Sequence, residues 1–201
     1  MSVLNGLQPE RVFYYFEEIT KIPHGSGDMD KIALFCVDFA KKHNLKYYHD
    51  KENNVVIYKD GTKHLKNAEP IILQGHLDMV CQKTEDCSID FTKDALDIFI
   101  DGDFIKAKNT TLGADNGIAV ASVLAILESD CYIHPPIEAV FTTDEETGMV
   151  GANNLDTSVL KSKRMINIDS EEDDTMTVSC AGGADFLATF NFQRELAEGV
   201  E

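Results

Sequence analysis

The stretch Ile71-Ile72-Leu73-Gln74-Gly75-His76-Leu77-Asp78 decides how this chain folds. A short apolar run ends abruptly on a histidine and an aspartate two residues apart, which places both on one face of an extended strand end. The same arrangement recurs downstream. Residues 137–143 form an apolar run that delivers Asp144, Glu145 and Glu146, and Met165-Ile166-Asn167-Ile168 delivers Asp169. A fourth delivery has another form: Thr110-Thr111-Leu112-Gly113-Ala114 leads to Asp115 at the mouth of a helix expected over 116–128. That helix is so rich in Ala, Val, Ile and Leu that it is expected to be buried. In open α/β sheets ligands bind beyond the carboxyl ends of the strands, so the four deliveries are expected to converge on one rim.

Outward from these runs, helical and extended periods alternate. Pro9 suits a first helical turn, and Val12, Phe13, Phe16 and Ile19 follow it at helical spacing. A second helix is expected over 28–43, with Ile32, Phe35, Cys36 and Phe39 as its apolar stripe and Asn44 as its stop. Strands are expected over 45–49, 55–58 and 70–73, punctuated by Asn53-Asn54 and Asp60-Gly61. Residues 97–108 read as a hairpin turning at Asp101-Gly102, and 137–143 and 164–168 read as buried strands. The pattern predicts an α/β fold, a three-layer sandwich around a largely parallel mixed sheet. Gly25-Ser26-Gly27 lacks the third glycine and the preceding strand of a dinucleotide fingerprint and reads as a tight turn. Gly182-Gly183 mark a boundary after which residues 184–192 begin a new alternating strand. The expected division is therefore 1–181 and 182–201, the second part being the start of a truncated domain.

Composition excludes several partners. Asp and Glu number 35 against 18 Lys and Arg, a formal charge of −17 that would repel nucleic acid and anionic membrane surfaces. It does not repel metal cations or small zwitterions. The longest apolar stretch, residues 118–127, is far short of the ~20 residues a bilayer span needs. No signal peptide is visible at the N-terminus, and five cysteines without a CxxC pair read as free thiols of a cytoplasmic protein.

No GxSxG elbow, P-loop or HExxH motif supplies a nucleophile or a ready-made site. Singly, the remaining residues are ordinary: His76-Leu77-Asp78 suits a solvated loop, Asp115 a helix cap, Glu145-Glu146 an acidic surface. His24, His43, His49, His64 and His134 read as surface or core, and residues 170–174 as an exposed acidic loop. Taken jointly, one imidazole and several carboxylates make an oxygen-and-nitrogen donor set suited to Zn²⁺, Mn²⁺ or Co²⁺. A carboxylate shared between two ions would hold them ~3.5–4 Å apart, as in two-metal hydrolases. Asp78 is placed to orient the His76 imidazole. Of two adjacent glutamates, one can ligate metal while the other stays free to take a proton.

These residues also carry a resemblance. Ile22-Pro23-His24-Gly25-Ser26-Gly27, Gly75-His76-Leu77-Asp78-Met79-Val80 and residues 110–117 (TTLGADNG) resemble the aminoacyl-histidine (Xaa-His) dipeptidases, one group of the aminoacylase-like co-catalytic zinc peptidases. Thr143-Asp144-Glu145-Glu146-Thr147-Gly148 and Asn167-Ile168-Asp169-Ser170-Glu171 extend the match in family order over nearly the whole chain. The resemblance implies that His76, Asp115 and Asp169 ligate one zinc, with Asp115 bridging to a second held by Glu146. It implies Asp78 as the residue steadying His76, Glu145 as general base, and a cis peptide at Asp115-Asn116. The implied activity is hydrolysis of dipeptides, Xaa-His (carnosine-like) among them, by water activated between two divalent ions, with a homodimer formed through a lid domain. Members of that family are more than twice as long; their last zinc ligand and substrate-carboxylate residues would lie past residue 201. A tripeptide aminopeptidase, an N-acyl amino acid hydrolase and a non-catalytic metal-binding module are the alternatives.

Overall fold

The computed structural model describes residues 2–170, 174–179, 182–184 and 186–193, which fall into two units, Met1–Asp169 and Ser170–Glu201. In the first unit α1 (Glu10–Thr20) and α2 (Asp30–Lys42) precede β1 (Lys46–His49), β2 (Val55–Lys59) and β3 (Ile71–His76). A hairpin follows, β4 (Ile98–Asp101) and β5 (Phe104–Ala107), then α3 (Ala114–Glu128), β6 (Ile137–Thr142), the short α4 (Val150–Asn154) and β7 (Met165–Asn167). The main sheet runs β1-β2-β6-β3-β7, antiparallel across β1-β2 and β2-β6 and parallel across β6-β3 and β3-β7.

Strand alternation divides the apolar residues between the two faces. Val55, Ile57, Leu73, Ile137, Ala139 and Phe141 join the main core with Phe16 and Ile19 of α1, Ile32, Cys36 and Phe39 of α2, and Val120, Val123, Leu124 and Leu127 of α3. Val56, Ile72 and Val140 point to the other face, where Tyr48, Tyr58, Leu155, Val159 and Leu160 cover them. The sheet is thus a central layer in a mixed α/β sandwich, as the alternation of periods predicts. α3 is buried over most of its circumference, which explains an apolar composition too uniform for an amphipathic surface helix.

Two buried charges fix how the layers meet. Lys59, the last residue of β2, donates its ammonium to the carbonyls of Ile126, Leu127 and Ser129, at 3.2, 2.9 and 2.5 Å. Those carbonyls belong to the end of α3, where the helix leaves acceptors unpaired and favours a cation. Glu17 of α1 accepts from Ser2 Oγ and from the backbone N–H groups of Val3 and Leu4, at 2.7, 3.0 and 2.9 Å, tying the N-terminal segment to the helix.

Three expectations need correction. The strand at 164–168 is not buried: Met165 and Ile166 of β7 are exposed, and among the described residues β7 pairs with β3 on one side alone. The hairpin turns at Gly102-Asp103 rather than Asp101-Gly102, since Asp101 still pairs with Phe104 and Gly102 carries the positive φ of +60°. In the second unit the described residues hold no strand over 184–192, where an alternating one was expected. Part of the 170–174 loop, Glu171 to Asp173, lies outside the described residues, as does Cys180. The other four cysteines are free thiols, and the described residues contain no helix long and apolar enough to cross a membrane.

Candidate metal centre and active site

Because β6, β3 and β7 are parallel neighbours, their carboxyl ends open on one edge of the sheet. β3 ends at His76, β6 at Thr142 and β7 at Asn167, so Asp78, Asp144 and Asp169 each sit two residues past a strand end. α3 starts at the same edge: its Asn116 accepts the His76 N–H and donates to the Ile168 carbonyl. The four deliveries read from the sequence therefore meet.

At the centre lies His76, with a side chain only 1% exposed. Its Nε2 lies 3.0 Å from Asp115 Oδ1 and 3.8 Å from Asp169 Oδ1. On the other side of the ring, Nδ1 lies 3.0 Å from the Asp78 carbonyl and 3.3 Å from Asp78 Oδ1. Burial disfavours the imidazolium, but the carboxylates of Asp78, Asp169 and Asp115 more than offset that and hold its pKa up to about 9.

Asp78 is the buried hub. Its carboxylate accepts from Ser26 Oγ at 2.8 Å, from Glu145 N at 3.0 Å and from Glu146 N at 3.2 Å. Burial alone would raise its pKa; His76, the Glu145 amide and Ser26 bring it below the ordinary carboxylate value. One side chain thus orients the imidazole and sets the backbone of the Glu145-Glu146 pair. Asp144 does a similar task on the opposite side, accepting the Gly27 N–H at 2.6 Å from a left-handed backbone (φ 51°). The Gly25-Ser26-Gly27 segment is the tight turn expected, closed by Asp28 N donating to Gly25 O at 2.9 Å, and both aspartates hold it.

His76 Nε2 or Nδ1 and one carboxylate oxygen each from Asp115 and Glu146 lie within 4.8 Å of one another, the group among the described residues that could hold a metal ion. Asp169 stands at its margin, where Asn116 Nδ2 donates to its Oδ1 at 3.0 Å. Burial, then the nearby Asp115 carboxylate, raises the pKa of Glu146, with His76 opposing. Burial also raises that of Asp169; His76 opposes this, while Asp115 and Glu145 add to it. Carboxylates crowded until they resist ionising, around one imidazole, are a donor set that a divalent cation would relieve. The residues present fit a metal centre.

The remaining candidates lie outside this group. His24 is buried, its Nδ1 beside the Ile22 carbonyl at 2.5 Å, and burial lowers its pKa. His134 is likewise buried, with Nδ1 2.7 Å from the Pro135 carbonyl. Burial pushes the Cys81 thiol up, away from the thiolate a nucleophile needs. Two residues with work in the site were missed as individuals: Ser26, which holds Asp78, and Asn116. A polar side chain at the head of an otherwise apolar buried helix was the available signal for Asn116.

No family model matches the chain. It is 42% identical over 195 residues to the cytosol non-specific dipeptidase of Escherichia coli (strain K12), an alignment covering 97% of this chain and 40% of that protein. The crystal structure of aminoacylhistidine dipeptidase from Vibrio alginolyticus superposes with a TM-score of 0.82 at 42% identity, over 85% of this chain and 35% of that one. Over nearly its whole length the chain is thus similar to the N-terminal part of two dipeptidases. It spans about two fifths of the length of the curated relative it matches. Aminopeptidase PepT from Bacillus cereus shares the fold, with a TM-score of 0.69 at 21% identity over 83% of this chain and 44% of its own. The mixed sheet flanked by helices is the fold this chain shares with both solved structures.

Proposed function

We propose that these residues form the metal-binding part of a cytoplasmic dipeptidase that cleaves Xaa-His and related dipeptides with two divalent ions, zinc in the first instance. His76, Asp115 and Asp169 would hold one ion, and Asp115 and Glu146 the second. Residues 1–181 would be the first part of the catalytic domain and 182–201 the start of a lid through which two copies pair. The observation that carries this reading is the single rim on which Asp78, His76, Asp115, Glu146 and Asp169 meet beyond three parallel strand ends.

Divalent metal bound here would supply an activated water and polarise the scissile carbonyl. The chain's own residues do the rest. Asp78 keeps the imidazole aligned and pins the backbone on which both glutamates ride. Glu145 stands beside the ligand group without belonging to it, and so is free to take a proton from the attacking water and return it to the leaving amine.

The test is hydrolysis of Xaa-His dipeptides, other dipeptides, tripeptides and N-acyl amino acids by the protein extended to the length of its relatives, wild type against Glu145→Gln. Glu145→Gln should lose roughly 10²–10⁴ in turnover while its metal content is unchanged. Near-normal turnover in that variant would remove the base assignment, and preference for tripeptides or acylated amino acids would move the substrate class. Saturable metal binding with no hydrolysis of any of them would leave a binding module.

A further inference from the structure

Asn116 touches three of the segments that build the rim. It heads α3 directly after Asp115 and is almost fully buried. Its Oδ1 accepts the His76 backbone N–H at 3.3 Å, at the last residue of β3. Its Nδ2 donates to the Ile168 carbonyl at 2.7 Å and to Asp169 Oδ1 at 3.0 Å, just beyond β7. Every hydrogen-bonding direction used by this amide goes to a residue that bears, or adjoins, a candidate ligand. Gly75 makes room for it: a Cβ there would lie 2.6 Å from Asn116 Oδ1 and 3.3 Å from the Ala119 Cβ.

β7 needs such a tie. It is a three-residue strand, exposed at Met165 and Ile166 and, among the described residues, paired with β3 alone. The Ile168 N–H still pairs with the Gln74 carbonyl at 3.1 Å, but that bond fixes the backbone and not the Asp169 side chain, whose carboxylate would sample several rotamers. A bidentate hold on the Ile168 carbonyl and the Asp169 carboxylate removes that freedom. We propose that Asn116 is a positioning residue for the metal centre, one amide that sets Asp169 against His76 by clamping the end of β7 to the end of β3 and the start of α3. This rests on the reading of Asp169 as a ligand given above.

The experiment is a Co²⁺ titration of the protein, followed by its visible d–d absorption, for wild type, Asn116→Ala, Asp169→Ala and the double variant. Thermal unfolding without metal accompanies each. Asn116→Ala should weaken Co²⁺ binding roughly 10–100-fold, the usual effect of losing a group that orients a ligand, and alter the absorption band. The double variant should bind within about threefold of Asp169→Ala alone, because Asn116 acts through Asp169. Losses that multiply, or a folded Asn116→Ala that binds Co²⁺ as wild type does, would overturn the proposal. If Asn116→Ala does not fold, the side-chain amide protons of Asn116 in ¹⁵N-labelled wild type decide: slow exchange with water and a shift of one proton in Asp169→Ala support the clamp, and free exchange unmoved by Asp169→Ala refutes it. A wild type that binds no Co²⁺ would instead refute the metal centre itself, and the clamp with it.

Discussion

Replacing Asp78 by asparagine changes one atom type in a side chain that is wholly enclosed, and its cost can be worked from the bonds that converge there. Beside the His76 imidazole, whose Nδ1 lies 3.3 Å from Oδ1, three donors point at the carboxylate: Ser26 Oγ, Glu145 N and Glu146 N. An asparagine keeps one acceptor oxygen, which can serve the Glu145 amide as an uncharged partner. Its NH₂ faces Ser26 and the Glu146 amide. The Ser26 hydroxyl can rotate to accept, but a backbone N–H cannot, so Glu146 N is left facing a donor. Hydrogen bonds to charged groups contribute about 1.5–3 kcal/mol, and a stranded buried donor costs about 1–3 kcal/mol. Easing the burial of a charge returns part of this. The net loss expected is about 2–4 kcal/mol, a large share of the roughly 5–15 kcal/mol that holds an ordinary domain together. With a urea slope of about 2 kcal/mol per molar, the midpoint in EDTA should fall by about 1–2 M. Ser26→Ala, which removes one donor to the charged group and strands nothing, should lower it by about 0.75–1.5 M on the same slope. An Asp78→Asn midpoint within about 0.2 M of wild type would show that the carboxylate is not the hub described.

Two further outcomes follow from buried charges elsewhere. Lys59→Met keeps the aliphatic stem but leaves the carbonyls at the end of α3 without their cation; urea unfolding should show a loss of about 1–3 kcal/mol, and an unchanged midpoint would mean water replaces the ammonium freely. Burial alone would raise the pKa of Glu17, but the Leu4 and Val3 amides, Ser2 and Lys21 bring it below its ordinary 4.5. Its contribution to stability is therefore complete above that ordinary value and is lost as pH falls through the lower folded value. Glu17→Gln should flatten the acid limb of stability against pH, and an acid limb identical to wild type would contradict the assignment.

Much of this architecture is legible in the chain because its apolar runs stop on charged residues. Residues 71–78, 137–146 and 164–169 each show an apolar run ending on an acid, and the sheet places all three ends on one edge. What periodicity does not carry is the covering of each face. The 164–168 run looks buried by composition, yet Met165 and Ile166 are exposed, since burial depends on which strand lies beside a run and not on its own residues. The turn of the hairpin lies one residue from its expected place because Asp101-Gly102-Asp103 contains both Asp-Gly and Gly-Asp, and the cross-strand register decides between them. The roles of Ser26 and Asn116 are hard to read in the chain because they are long-range: the partners lie 52 and 53 residues away in sequence, and only the polar Asn116 at the head of an apolar helix gives a local sign.

The central claim, that the strand-end carboxylates and His76 form a divalent-metal centre, is tested most directly by calorimetric titration of the chain with Zn²⁺, wild type beside His76→Ala. The account predicts one tight site per chain in the wild type, formed around His76. It predicts that His76→Ala weakens that site by more than the roughly 10–100-fold that loss of a merely orienting group costs. No saturable Zn²⁺ binding by the wild type, or equal binding by His76→Ala, would contradict it.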